Sequence, residues 1–292
     1  MQTETFKPPM SSKALTLEAG KTERHYWRDL WRYRELFTIL AWRDVSVRYK
    51  QTVIGVIWAV IQPAFSIVVM TVIFGKMAGL DTPGGVPYAL MVCAGMLPWQ
   101  FFSNCLSTAS NSLVSNASLI TKVYFPRLII PASAIVVSLI DFLITLAILF
   151  GLMAWYHFIP TWRMLTIPFF LLLAMIAALG PGLLLTAMNV KYRDVRYIIP
   201  FIIQAGTWLS PVAYNDELPL RYFHKVFGEL GPFIYSLNPL VGVINGFRWA
   251  ILGEAVTIYW PGFFLSIVIS LILLYIGVHY FRKTERRFAD TI

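Results

Sequence analysis

The stretch Val53-Ile-Gly-Val-Ile-Trp-Ala-Val-Ile-Gln-Pro-Ala-Phe-Ser-Ile-Val-Val-Met-Thr-Val-Ile-Phe74 decides the class of fold. It runs for 22 residues without a charge. As an α-helix it is roughly 33 Å long, which matches a bilayer hydrocarbon core of about 30 Å. Working outward, comparable runs cover Ala89 to Val114, interrupted by Pro98, and Ile129 to Trp155, whose sole charge is Asp141. Two more cover Leu165 to Met188, with Gly180-Pro181-Gly182 inside, and Ile258 to Phe281. Ile198 to Ala213 is a shorter one. The pattern predicts an all-α polytopic membrane protein with six transmembrane helices.

Composition agrees. Of the 292 residues 58% are hydrophobic and 13% charged, against roughly 25% charged in a soluble domain. The two cysteines, Cys93 and Cys105, lie in one apolar run and read as small buried hydrophobes. Residues 1–50 are too charged to hold the apolar core of a signal peptide. The net charge of +9 would suit nucleic acid, but its placement argues against that partner. With six spans, 19 of the 24 Lys and Arg fall on the side of the N-terminus. The positive-inside rule then puts both termini in the cytoplasm.

Gly231 to Leu252 is apolar enough for a seventh span, but it holds Pro232, Asn238-Pro239, Gly242, Asn245, Gly246 and Arg248. A seventh crossing would also move the last four cations outside. The stretch therefore reads as an outward-facing, broken or re-entrant segment before the last span, covered by protein or lining a water-filled cavity. Residues 25–50 mix Trp27, Leu30, Trp31, Phe37 and Leu40 at helical spacing with five arginines. That is the pattern of an amphipathic helix in the membrane interface. It serves equally as a topology anchor or as a mechanical part.

Enzyme chemistry finds little support. The histidines are scattered, no Asp-x-Asp pair is present, and Gly20-Lys21-Thr22 lacks the first glycine and the preceding strand of a phosphate-binding loop. Asp141, with Ser138 and Thr145 on its helix face, reads as polar glue between helices more readily than as an ion-coupling site.

Several blocks, in order, resemble one family. Leu40-Ala-Trp-Arg-Asp-Val-Ser-Val-Arg-Tyr-Lys-Gln-Thr-Val-Ile-Gly-Val-Ile-Trp-Ala-Val-Ile-Gln-Pro63 resembles the opening segment of ABC-2 type export permeases. Lys122-Val-Tyr-Phe-Pro-Arg127, with Ile129-Ile-Pro131 and Leu139-Ile-Asp-Phe142, is similar to that family's first cytoplasmic loop and third span. Asn189-Val-Lys-Tyr-Arg-Asp-Val-Arg196, Leu237-Asn-Pro239, Gly246-Phe-Arg-Trp249 and Phe281-Arg-Lys-Thr-Glu-Arg-Arg-Phe-Ala-Asp290 resemble its later blocks. The likeness is strongest to exporters of O-antigen, capsule and teichoic-acid chains.

The resemblance implies a homodimer in the inner membrane, driven by two separate ATPase subunits. ATP and Mg would be held on those subunits, and no cofactor on this chain. Its substrate would be a polysaccharide linked to undecaprenyl diphosphate. The resulting plan is a disordered cytoplasmic tail over 1–24, an interfacial helix over 25–50, an ABC-2 transmembrane domain over 53–281 and a cytoplasmic tail over 282–292. An exporter of another lipid or a drug shares the fold, and a membrane enzyme acting on lipid-linked sugars is the reading from another class.

Three residue sets follow. Arg43, Arg48 and Lys50 cluster where the interfacial helix meets the first span, and guanidinium groups suit a lipid diphosphate; attraction to anionic headgroups is the plainer role. Lys122, Tyr124, Phe125 and Arg127 in one inner loop, with Arg193 and Asp194 in the next, are expected to engage the ATPase, Tyr124-Phe125-Pro126 acting as an aromatic knob. Trp58, Gln62 and Phe65, and Tyr197, Phe201, Gln204 and Trp208, each fall on one helix face. These aromatic and amide stripes are expected to line a glycan channel, although such aromatics also pack between helices.

Overall fold

The computed structural model describes residues 26–49, 53–192, 194–285 and 288. Every regular element among them is helical. The expectations for Lys50, Arg193 and the tail over 1–24 lie outside the described residues, as do most of the residues after Glu285.

The centre is α4, Tyr88–Ser115. Its sequence is apolar on all faces through Trp99, and Leu90 to Ala94 are fully buried, as a helix without a polar side must be. Two long helices pack against it, and a third lies outside them. α6, Ile129–Trp155, runs antiparallel, with Phe101 edge-on to Phe142 at 5.9 Å. α7, Ile167–Lys191, runs parallel and is held by hydrogen bonds that small polar side chains make to the α4 backbone. Thr186 Oγ1 donates to the Ala109 carbonyl at 2.8 Å, and Asn189 Nδ2 to the Ser110 carbonyl at 2.9 Å. α12, Trp260–Glu285, lies along α7. A Cβ on Gly180 would stand 2.5 Å from the Leu273 carbonyl carbon, and one on Gly277 would collide with the Gly180 carbonyl. Glycine at both positions lets the backbones touch.

α1, Tyr26–Arg32, and α2, Arg34–Tyr49, sit at the end of the bundle where α4, α7 and α12 finish; this is the near end. Leu40, Phe125, Leu128, Leu183, Phe281 and Phe288 form a second core there. The apolar residues Leu30, Leu36 and Phe37 pack against it, so much of the stripe expected to meet lipid covers protein instead, while Trp31 and Trp42 remain exposed. α2 then runs beside the first half of α6.

α3, Val53–Met70, continues into a π-helical stretch, Thr71–Met77, and leaves most of its surface uncovered. Ile57–Met77, Tyr88–Ser115, Ile129–Trp155, Trp162–Lys191 and Trp260–Glu285 are the five helices long and apolar enough to cross a bilayer among the described residues. The short sixth stretch forms α8, Val195–Leu209, 15 residues. It stops earlier than Ala213 because Ser210 turns extended, with ψ 147°. α8 nonetheless carries the chain from the near end, where Val195 N–H meets the Tyr192 carbonyl at 3.1 Å, to the far end.

There α9, Glu217–Phe227, precedes α10, Gly231–Tyr235, and α11, Pro239–Leu252, and these last two split the stretch Gly231 to Leu252. Asn238 caps α11 by accepting from the Leu240 N–H at 3.1 Å, with Pro239 at the first helical position. α11 is almost wholly buried. Ala117–Lys122 is the short helix α5 in the first near-end loop.

Candidate functional site

A cleft of about 570 Å³ opens between α2, α4 and α6 in the near-end half of the bundle. Arg43, Asp44, Val47 and Arg48 of α2 form its rim, and Ala134 and Val137 of α6 one wall. Its floor is a polar face of α4 running from Ser107 to Asn116. Arg43 donates through Nε and Nη2 to Asp44 Oδ1 at 3.0 and 2.7 Å, and through Nη2 to Asn116 Oδ1 at 2.7 Å. Arg48 lies 2.8 Å from Asp141 Oδ2. The Asp141 carboxylate also accepts from the Tyr49 hydroxyl and from Asn104 Nδ2, the latter at 3.1 Å. Burial, reinforced by Asp141, raises the Tyr49 phenol above its ordinary range, so it remains a donor.

The structure thus brings Arg43 and Arg48 to one cleft, as expected for a phosphate site, but gives each a carboxylate within the chain. Among the described residues two cations face two anions, and the rim they form is close to neutral. Asp141 joins three donors from α2 and α4, as its reading as polar glue requires.

All seven residues of the two stripes are exposed. Trp58 is 58% and Trp208 60% accessible, while the opposite faces bury Pro63 and Ile67 on α3 and Val195 and Ile199 on α8. The helices that carry the two stripes both pack on α4. Phe74, beyond the end of α3, stands 6.5 Å from Trp208 between ring centroids, and Trp99 of α4 wedges against Gly206 behind them. Ile57, Ile61 and Val68 are exposed beside the α3 stripe as well, so exposure by itself does not single out the aromatic and amide positions.

The near-end loops depart from expectation at two residues. Phe125 is only 4% accessible and belongs to the near-end core, beside Leu40, Leu113, Leu183 and Phe281; the aromatic knob reduces to the exposed Tyr124. Arg127 is committed within the chain. Its backbone N–H donates to Glu285 Oε1 at 2.7 Å, its guanidinium to the Glu285 carbonyl, and it lies 6.0 Å from the Phe288 ring centre. Tyr26 donates its hydroxyl to Glu285 Oε2 at 3.0 Å. Lys122 and Asp194 are exposed.

The far end holds a polar centre that sequence reasoning missed. Arg248, counted above with the outward-facing cations, is 2% accessible. Its Nη1 lies 3.8 Å from Asp216 Oδ1, and its Nη2 donates to the Val212 carbonyl at 3.1 Å. Asn245 donates to the other Asp216 oxygen, and Tyr235 approaches the carboxylate at 3.5 Å. Burial pushes the Asp216 carboxyl up to about 6, against the pull of Arg248, Asn245 and Tyr235. Burial likewise lowers Arg248, with Asp216 opposing. The available signal was an arginine inside an otherwise apolar run, since such a charge needs a partner.

Five helices long and apolar enough to cross a bilayer, among the described residues, make this a multi-pass membrane protein. Residues 35–252 match the ABC-2 type transporter family, and the chain belongs to that family, as its sequence blocks implied. It is similar to an O-antigen export system permease protein RfbA of Myxococcus xanthus, 26% identical over 91% of this chain and 98% of the relative. A protein of the same name from Klebsiella pneumoniae is 25% identical over 88% and 95%. The polysialic acid transport protein KpsM of Escherichia coli is 24% identical over 83% and 91%.

Proposed function

We propose that the chain is the membrane subunit of an exporter that carries a lipid-linked polysaccharide of the O-antigen type across the inner membrane, powered by ATP on separate subunits. The observation that carries this reading is the match to O-antigen permeases over nearly their whole length. The geometry fits it. The chain works as a homodimer, and the exposed faces of α3 and α8 give a second copy and a sliding glycan surfaces to use. Aromatic faces attract sugar C–H groups weakly, and the amides of Gln62 and Gln204 exchange hydrogen bonds with successive hydroxyls. α8 counts as a sixth crossing, which leaves both termini in the cytoplasm. The near end, with Lys122, Tyr124 and Asp194, faces the ATPase, and the Arg43/Arg48 cleft meets the lipid diphosphate.

Export is the test. A strain lacking this chain should accumulate glycan on the cytoplasmic face and recover surface glycan when it is restored. The chain should copurify with an ATP-binding subunit and hydrolyse no ATP alone. Unchanged surface glycan in the deletion strain sinks the reading.

A further inference from the structure

We propose that the floor of the near-end cleft is a saccharide-binding face, taking the hydroxyls of the first sugar on the lipid diphosphate; the proposal rests on the reading of the chain as a lipid-linked glycan exporter. Ser107, Thr108, Asn111, Ser112 and Ser115 recur on one side of α4 at the spacing of a single helix face.

Three donors of this face are spent inside the helices. Thr108 Oγ1 donates to the Asn104 carbonyl at 2.7 Å, Ser112 Oγ to the Ala109 carbonyl at 2.7 Å, and Asn111 Nδ2 to the Ser107 carbonyl at 2.9 Å. A hydroxyl that has given its proton away still offers lone pairs. With the hydroxyls of Ser107 and Ser115 beside them, the face presents many acceptors and few donors, and the ligand that suits it is neutral and carries both. A phosphate only accepts and leaves most of those lone pairs unmet. It finds donors at Arg43 and Arg48, but the carboxylates beside them leave the rim near neutrality, so a diphosphate alone is held weakly. The opposite wall of Val47, Ala134 and Val137 is apolar. A pyranose, with hydroxyls along its edge and C–H groups on its face, matches a cleft with one polar and one apolar side. At about 570 Å³ the volume lies within the range of small-ligand sites.

The test uses the full-length chain in nanodiscs and two probes: undecaprenyl diphosphate, and the same lipid bearing one N-acetylhexosamine. The wild type should bind the sugar-bearing lipid about tenfold more tightly. The variant Thr108→Val with Ser115→Ala should lose that preference and bind the bare lipid as before. Thr108→Ser, which restores the hydroxyl, should recover it. A Thr108→Val/Ser115→Ala variant that keeps the preference overturns the proposal, and so does its equal loss for both probes. Equal wild-type affinity for the two lipids removes the sugar face alone. Binding of neither lipid removes the exporter reading with it.

Discussion

The Arg48 guanidinium sits 2.8 Å from the Asp141 carboxylate, fastening the last turn of α2 to the middle of α6. The two partners differ in exposure, 43% for the Arg48 side chain and 12% for Asp141, and the difference sets an order. Removing Arg48 leaves a mostly buried carboxylate with only neutral donors. Removing Asp141 leaves a guanidinium that water reaches. Arg48→Met should therefore cost about 2 kcal/mol and Asp141→Asn about 1 kcal/mol, read from thermal unfolding in detergent. The reverse order refutes the account.

The Asp216 carboxyl, raised to about 6 from an ordinary 3.8, gives a pH signature. The folded chain holds this proton more tightly than the unfolded one. The resulting stability is complete below about pH 4 and is lost as pH rises through about 6. The Tm of the wild type relative to Asp216→Asn should therefore fall between about pH 4 and pH 7 and stay level above it. A constant difference across that range contradicts the raised value.

The close approach of α7 and α12 should not tolerate a methyl group. Gly277→Ala places a Cβ against the Gly180 carbonyl; that carbonyl is backbone and the methyl has no other rotamer, so neither can turn aside. A loss of about 1–3 kcal/mol is expected. Gly151→Ala, with nothing within 4 Å, is the matched control and should be neutral or slightly stabilising.

Trp58 and Trp208 stand on exposed faces, so leucine at both should leave the folded bundle intact. If the stripes line the glycan path, the double variant exports about tenfold more slowly. Single cysteines at 58, 62, 204 and 208 should react with water-soluble thiol reagents. If all four label only from the lipid phase, the stripes do not line the path.

The near-end loop separates into two roles. Lys122→Glu with Tyr124→Ala should weaken copurification of the ATP-binding subunit with little change in Tm, since both side chains are exposed. Arg127→Ala should lower Tm, because it removes the guanidinium held by Glu285 and Phe288. Motor binding lost only with Arg127→Ala reverses the assignment.

Much of this was legible from the chain because each span is a local property. Twenty apolar residues in a row need no knowledge of their neighbours, and the Pro, Gly and Asn of residues 231–252 announce a broken segment by themselves. The paired charges were not legible. Arg48 and Asp141 each carried a plausible separate role, and only folding along α6 makes them partners. Phe125 looked available because a loop aromatic beside proline often is; its burial depends on the leucines and phenylalanines of four other helices. Arg248 was hidden by the opposite error, being counted with the outward cations although its neighbours Phe247 and Ile251 are fully buried.

The meeting of Tyr26, Arg127 and Glu285 also fixes an order of events during synthesis. Glu285 follows Tyr26 by 259 residues and Arg127 by 158. At ribosomal speeds Arg127 waits roughly 10–30 s for its acceptor. The first helices and the first loop are thus inserted long before the contact that closes them exists. Chains released early should show an unclosed near end to added protease, so this contact also distinguishes finished molecules from unfinished ones.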